Sequence, residues 1–170
     1  ALFYFLIDWV NLRLADYIIV DTKAHWILYK RIFGIKKEKQ IVIYLGSDDT
    51  YFYPRNLEKN TDVLFYGSYQ PLQGVEIIVM AASKLAKIEF KIIGDGKSRK
   101  SMEALSKKLK VKNIIFLDWM SKKQLAEEIN KSKIILGIFG SGEKADSVIP
   151  NKVYDAVASK KAVITSKNSA

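Results

Sequence analysis

Short apolar runs alternate with amphipathic stretches along the chain from residue 62 onward. Each apolar run has the length of a strand and is nearly continuous in hydrophobic residues, which is typical of strands buried on both faces. The stretches between them have the hydrophobic spacing of helices. This alternation predicts an α/β fold built on a Rossmann-like, doubly wound parallel sheet. The predicted strands cover residues 62–67, 88–96, 113–119, 133–140 and 161–166.

Helices are predicted between these strands from their spacing and their end signals. The segment 74–84 is apolar nearly all round, which predicts a helix sandwiched between layers. Ser121 and Gln124 stand in the register of a capping box, so a helix is expected to begin at Ser121. Pro150 suits the first turn of another helix. The helix over 97–110 has a lysine-rich outer face, which is expected to be solvated.

The front of the chain is organised differently. The elements predicted there are a helix over 2–14, a strand over 17–21, a helix over 23–33 and a strand over 40–45. A polar, turn-rich stretch follows them, which indicates a linker. We therefore predict the end of an N-terminal domain with its crossover at 1–47, an interdomain linker at 48–61, and a second domain at 62–170 that is truncated at its end.

The first twenty residues are apolar enough to suggest a membrane span. Charges near a bilayer centre are costly, and a span needs about 20 mostly apolar residues. Polar and charged residues interrupt this stretch at Asp8, Asn11, Arg13 and Asp16. No basic leader or small-residue cleavage site flanks it, so a signal peptide is not expected either. The prediction is a buried helix followed by a strand.

The composition excludes several kinds of site. Of the 170 residues, 49% are hydrophobic, which is enough for a folded core. The chain has no cysteine, which excludes a disulfide scaffold, a thiolate zinc site and a cysteine nucleophile, and which fits a reducing, cytoplasmic compartment. His25 is the single histidine, so a mechanism with two histidines is excluded. His25 itself is expected to have a structural or surface role.

The net charge of +10 fits three kinds of partner: nucleic acid, anionic lipid and a phosphorylated ligand. The lysines are spread over the outer faces of helices, and no recognised RNA or DNA motif occurs. A basic nucleic-acid-binding module is therefore kept only as an alternative. A weak peripheral association with the inner face of a membrane stays open through the lysine-rich helix over 97–110.

Ligands of doubly wound sheets bind at the carboxyl ends of the strands. Glycine stands at three of four such ends in this chain, which suggests that the backbone there approaches a ligand closely. The loop from Gly67 to Gly74 could present backbone N–H groups to a phosphate, with an ordinary tight turn as the alternative. Gly94-Asp95-Gly96 resembles the start of a dinucleotide fingerprint, but Arg99 stands in place of the third glycine. A nicotinamide oxidoreductase is thus a second alternative.

The helix that begins near Pro150 follows a long polar loop. Its N-terminus would direct free N–H groups and the positive end of the helix dipole at the cleft, which suits a diphosphate. Asp155, about one turn into the helix, could accept hydrogen bonds from ribose hydroxyls. The alternative is an ordinary helix on which Lys152 and Asp155 are solvated.

Several motifs occur in an order and spacing that resemble a known family. The segments are FYGSYQPLQG, IIGDG, IIFLDWM and PNKVYDAVASKKAVIT. They resemble the retaining GT-B glycosyltransferases of the glycogen-synthase-like family, the group 1 glycosyl transferases. The front segments ADYIIVDT and IVIYLGSDDTYFYP are similar to that family's domain-crossing region, so the resemblance runs from about Ala15 to the C-terminus.

The resemblance implies that a sugar is transferred, with retention, from a nucleotide-diphosphate donor to a saccharide or lipid-linked acceptor. It implies no metal and no other cofactor. The catalytic residues it implies are Glu143 and Asp155. The donor-binding residues it implies are Gly67, Ser68, Gln73, Gly74, Gly94, Asp95, Gly96, Lys97, Trp119, Met120, Ile149, Pro150, Asn151 and Lys152.

This chain departs from the family pattern at the positions that grip the diphosphate. Ser68 and Gln73 stand where the family has arginine and lysine, and Ser147 stands where it has the first of two glutamates. Phosphate binding is then left to backbone amides, Lys152 and Lys97. The family's active site lies between two domains, and most of the first is absent here. The chain alone is therefore expected to bind donor without turnover.

Overall fold

Two parallel sheets of unequal size organise the chain, whose computed structural model describes residues 2–170. The smaller sheet belongs to a front unit, residues 2–47. That unit consists of α1 (Leu2–Leu14), β1 (Ile18–Val20), α2 (Lys23–Phe33) and β2 (Gln40–Val42). The two strands pair in parallel, with Ile18 opposite Gln40. Thr22 caps α2 by accepting a hydrogen bond from the backbone N–H of His25.

The larger sheet has five parallel strands in the order β5-β4-β3-β6-β7. Its strands are β3 (Thr61–Tyr66), β4 (Phe90–Ile93), β5 (Ile114–Leu117), β6 (Ser132–Leu136) and β7 (Ala162–Ile164). Strands β4 and β5 follow β3 on one side of the sheet. The chain then crosses to the other side of β3, where β6 pairs with it and β7 pairs with β6. This order confirms the predicted Rossmann-like, doubly wound sheet, and it puts the topological switch point between β3 and β6.

Helices cover both faces of this sheet. They are α3 (Val75–Lys84), α4 (Arg99–Lys108), α5 (Lys122–Lys131), the short α6 (Glu143–Asp146) and α7 (Asn151–Ala158). Val63 and Phe65 of β3 pack with residues of α3 and α4 on one face. Leu64 and Tyr66 pack with residues of α5 and α7 on the other. Because successive side chains of a strand point to opposite faces, both sets are buried, which explains the continuous apolar run.

Two predicted helices are more exposed than their sequences suggest. The prediction of a buried helix at 2–14 was wrong, because α1 has no buried residue. The front sheet has only two strands and covers little of α1. The prediction that the helix at 74–84 is sandwiched was also wrong, because Ile77 and Met80 of α3 are 44% and 40% exposed. No helix within residues 2–170 has the length and apolarity to span a bilayer.

A buried polar side chain fastens part of the segment between the two units to α5. Asn130, at the end of α5, is fully buried. Its Oδ1 accepts from the backbone N–H of Arg55 at 2.8 Å, and its Nδ2 donates to the carbonyls of Tyr53 at 3.1 Å and Ala126 at 2.9 Å. Two of these bonds therefore fasten residues 53–55 to α5, and the third holds the amide against its own helix.

Replacing Asn130 with alanine should lower the free energy of unfolding by about 1–3 kcal/mol, because it leaves buried backbone groups without partners. Equilibrium denaturant unfolding measures the change. Asn56→Ala is the matched control, since Asn56 is exposed in the same stretch. Equal stabilities of the two variants would show that Asn130 does not fasten this segment.

Candidate functional site

Loops at the carboxyl edge of the larger sheet contact one another through their backbones. A Cβ on Gly94 would overlap the carbonyl oxygen of Gly67, and one on Gly96 would overlap that of Ser68. A Cβ on Gly140 would lie 2.5 Å from the carbonyl of Leu72. Sequence reasoning assigned glycines here to close approach of a ligand. The structure shows that close approach between the loops themselves already requires glycine.

The loop after β3 leads into α3 through Gly74, which has a left-handed φ of 63°. Ser68 and Gln73 are both half-buried, and Gln73 lies against Gly67 with its Oε1 buried and without a hydrogen-bond partner. A cavity of about 470 Å³ opens beside this loop, over the start of α3. The residues that line it include Tyr69, Pro71, Gly74, Ser98, Phe139 and Ser141.

Arg99, the first residue of α4, stands where a dinucleotide fingerprint would have its third glycine. Its Nη1 donates to the carbonyl of Gly94 at 3.1 Å, its Nε donates to Glu103 at 2.9 Å, and it pairs with Asp118. The guanidinium thus ties the Gly94-Asp95-Gly96 turn to the end of β5. This arrangement disfavours the oxidoreductase alternative, because a pyrophosphate would have to approach the same turn. Asp95 and Lys97 are exposed beside it.

Helix α7 begins at this edge. Its first residue is Asn151, so Pro150 is the N-cap with an extended backbone rather than a residue of the first turn. Ile149 and Pro150 are half-buried and Asn151 is exposed. Across the edge, after β5, the ring of Trp119 is exposed and Met120 packs against the apolar core. The predicted donor-binding residues therefore follow three neighbouring strands and begin α7.

Lys152 is buried rather than solvated. It is 5% exposed, its Nζ lies 3.8 Å from the ring centroid of Phe65, and this nitrogen has no hydrogen-bond partner. Burial lowers the pKa of Lys152 to about 7, since the apolar surroundings disfavour the charged amine. The residue proposed to grip a diphosphate is therefore an amine poised between its charged and neutral forms.

Asp155 is buried too, and both of its carboxylate oxygens have partners in the protein. Oδ2 accepts from the hydroxyl of Tyr66 at 2.9 Å, and Oδ1 accepts from Ser47 Oγ at 2.6 Å. Burial, followed by the negative charge of Asp155, raises the pKa of Tyr66. One carboxylate thus joins α7, β3 and the end of the front unit.

Glu143, the other predicted catalytic residue, is exposed and pairs with Arg31 of α2. Ser147, in the family position of the first glutamate, is buried, and its carbonyl accepts from Thr22 Oγ1 at 2.5 Å. The front unit therefore contacts the segment that carries Glu143. Sequence reasoning did not single out Thr22, Ser47 or Tyr66, because their partners lie at least 89 residues away.

Two further features bear on the chemistry. Within residues 2–170, no group of three or more His, Asp or Glu side chains is arranged to share a metal ion. His25 belongs to the front unit, where its Nδ1 is 2.8 Å from Asp21 and its ring is tilted by 60° against that of Tyr29. These contacts stay within residues 21–29, and the structural or surface role expected for His25 stays a prediction.

Known proteins resemble this chain in sequence and in fold. The sequence model described as "Glycosyl transferases group 1" matches residues 47–170. Sucrose-phosphate synthase from Thermosynechococcus elongatus superposes with a TM-score of 0.81 at 18% identity, over 97% of this chain and 44% of that one. No curated protein sequence has a significant match to this chain.

Two other solved structures were obtained with ligands. HepE of Anabaena, in complex with UDP and glucose, has a TM-score of 0.78 at 15% identity, over 95% of this chain and 49% of that one. The pneumococcal O-GlcNAc transferase GtfA, in complex with UDP and GlcNAc, has a TM-score of 0.68 at 15% identity, over 95% and 32%. This chain therefore spans less than half the length of each of the three structures.

The burial of Lys152 predicts a pH dependence of stability. The pKa falls from its ordinary value of 10.5 to about 7 on folding, so between these values the unfolded chain binds one proton more than the folded chain. Above pH 10.5 the amine is neutral in both states, and its burial then costs no stability through its charge. As the pH falls from 10.5 towards 7, the unfolded chain takes up the proton first, so the free energy of unfolding decreases. In Lys152→Met, the free energy of unfolding should lose a slope of about 1.4 kcal/mol per pH unit within that range.

Chemical unfolding at several pH values measures this slope. The quantity to compare is the difference between wild type and variant, since the contributions of other titrating groups cancel in it. Lys107→Met is the control, because Lys107 is exposed on α4 and should follow the wild type. Parallel curves for Lys152→Met and wild type would show that the amine is not buried in solution.

Proposed function

The chain belongs to the group 1 glycosyl transferases, and on that premise we propose that its larger sheet binds the nucleotide diphosphate of a sugar donor at the switch point. The sugar would pass, with retention, to a saccharide or lipid-linked acceptor. The observation that carries the proposal is the start of α7 at the carboxyl edge, with the unpartnered amine of Lys152 in its first turn.

Lys152 supplies what the loop after β3 lacks. Since Ser68 and Gln73 carry no charge, the diphosphate has to be neutralised by other groups. The N–H groups at the start of α7 and the dipole of this eight-residue helix favour an anion. The negative charge of a bound diphosphate would favour the protonated form of Lys152. Binding would therefore offset the desolvation that disfavours the charged amine in the free protein. Lys97, exposed near Gly96, is a second cation within the proposed site.

Asp155 is assigned to the ribose, with its carboxylate oriented in advance. Two of its lone-pair positions are used by Tyr66 and Ser47, and a carboxylate has about four, so acceptor capacity remains for ribose hydroxyls. The exposed ring of Trp119 offers an aromatic face to the base. Glu143, which pairs with Arg31 across the two units, is assigned to the sugar side of the site.

The wider context belongs to the same proposal. HepE and GtfA were solved with UDP, which makes UDP the first nucleotide to test on this chain. The acceptor would be bound with the help of the N-terminal domain, and the reaction would need no metal. A cytoplasmic location and a weak association with the inner membrane surface, through the lysine-rich face of α4, are proposed from composition and charge.

A panel of UDP, GDP, ADP and NAD tests the donor site by thermal unfolding. At least one nucleoside diphosphate should raise the Tm, by an amount equivalent to about 2.7 kcal/mol at a concentration 100 times the Kd. NAD should not, since Arg99 stands in place of the third glycine of a dinucleotide fingerprint. Lys152→Met should weaken the effect and Lys107→Met should not. A folded protein whose Tm responds to none of the four would overturn the proposal.

Asp155→Asn should weaken, by about tenfold to a hundredfold, the binding of the nucleoside diphosphate that raises the Tm. Hydrogen bonds to a charged group contribute about 1.5–3 kcal/mol, which corresponds to this loss of affinity. Asparagine keeps the shape of the side chain and an oxygen that accepts from Tyr66, so the fold should be kept. Tyr66→Phe is the control, because it removes the hydroxyl and leaves the carboxylate. Titration calorimetry compares the affinities. Unchanged affinity in Asp155→Asn would mean that the carboxylate only holds α7 in place.

A further inference from the structure

The segment 143–149 contains α6 and carries both Glu143 and Ser147, and it pairs with no strand of either sheet. Other parts of the chain hold it from two sides. The C-terminal tail holds one side, where Asn168 donates to the carbonyl of Val148 at 3.1 Å and the N–H of Ser169 donates to that of Asp146 at 3.0 Å. The front unit holds the other side through Thr22.

Thr22 makes two contacts with a single hydroxyl. Oγ1 accepts from the backbone N–H of His25 at 2.9 Å and donates to the carbonyl of Ser147 at 2.5 Å, across 125 positions of sequence. The side chain is fully buried, and Ser147 is only 4% exposed. Water therefore has little access to replace this bond, and a lost hydroxyl would leave a buried carbonyl unsatisfied.

The second link from the front unit is of a different kind. Arg31 pairs with Glu143, but the two side chains are 62% and 64% exposed. Exposed ion pairs are screened by solvent and contribute little. Thr22 is therefore the buried anchor on this side, and it fixes the segment at Ser147, three residues before the N-cap of α7.

The geometry points to Thr22 as a positioning residue of the donor site. Its hydroxyl holds the carbonyl of Ser147, and through it sets the path of the chain from Glu143 into α7. Thr22 lies outside residues 47–170, so the part of the chain that matches the family would depend on the front unit for the order of its own loop. The functional meaning of this anchor rests on the proposed donor site, whereas the anchor itself does not.

Hydrogen exchange of the Asp146 amide tests the anchor without any ligand. This amide donates to the carbonyl of Gly142 at 3.0 Å, next to Ser147. Thr22→Val, which keeps the shape and removes the hydroxyl, should speed its exchange about tenfold. Thr22→Ser, which keeps the hydroxyl, should behave as wild type. The amide of Ser159, which donates to the backbone carbonyl of Asp155 at 3.0 Å at the end of α7, is the internal control and should not change.

Titration with UDP then tests the functional part on the same variants. Thr22→Val should bind UDP several-fold more weakly, and Thr22→Ser should restore the affinity. Unchanged Asp146 exchange in a folded Thr22→Val would overturn the anchor, as would equal acceleration at Asp146 and Ser159. If Thr22→Val does not fold, Thr22→Ala gives the same comparison. Failure of the wild type to bind any nucleotide would refute the donor site, whereas the exchange result would still decide the role of Thr22.

Discussion

Close backbone contact among the loops at the carboxyl edge is the constraint on which the rest of the structure depends. Gly94 and Gly96 lie against the carbonyls of Gly67 and Ser68, and Gly140 lies against Leu72. Any side chain at these positions would force the loops apart. The contacts therefore fix where the strands end relative to one another, and with them the starting points of α3 and α4. A site at this edge has its geometry set by chain packing before any ligand arrives.

Two charged residues at this edge, Lys152 and Asp155, are buried rather than solvated. Lys152 lies against Phe65 without a polar partner, and Asp155 is shared by Tyr66 and Ser47. Burying such groups costs free energy unless they are paired, and a lone amine is the more costly case. On the proposed assignment, the cost at Lys152 is offset only when an anion binds. This arrangement would compensate for the uncharged Ser68 and Gln73 by moving the positive charge from the loop to the helix.

The two units also meet at this edge. Thr22 contacts Ser147, Ser47 contacts Asp155, and Arg31 contacts Glu143. All three partners lie within residues 143–155, from the start of α6 into α7, in the part of the chain that carries the predicted acids. A short piece of the front unit is therefore integral to the candidate site. The order of the segment 143–149 depends on packing that residues far apart in the chain supply together.

The sequence by itself determined the class of fold, the positions of most elements, the capping box at Ser121 and the family. These features rest on periodicity and on short-range rules, which act between residues only a few positions apart. It also located the edge at which ligands of such sheets bind. Tertiary structure alone decided that Lys152 and Asp155 are buried, that the glycines serve contacts between loops, and that α1 is exposed. Burial depends on what packs against a residue, and here the partners are distant: Thr22 and Ser147 are 125 positions apart, and Ser47 and Asp155 are 108 apart. No local sequence pattern encodes such pairs, because neither residue has a distinctive neighbourhood in sequence and the two meet only in the folded chain.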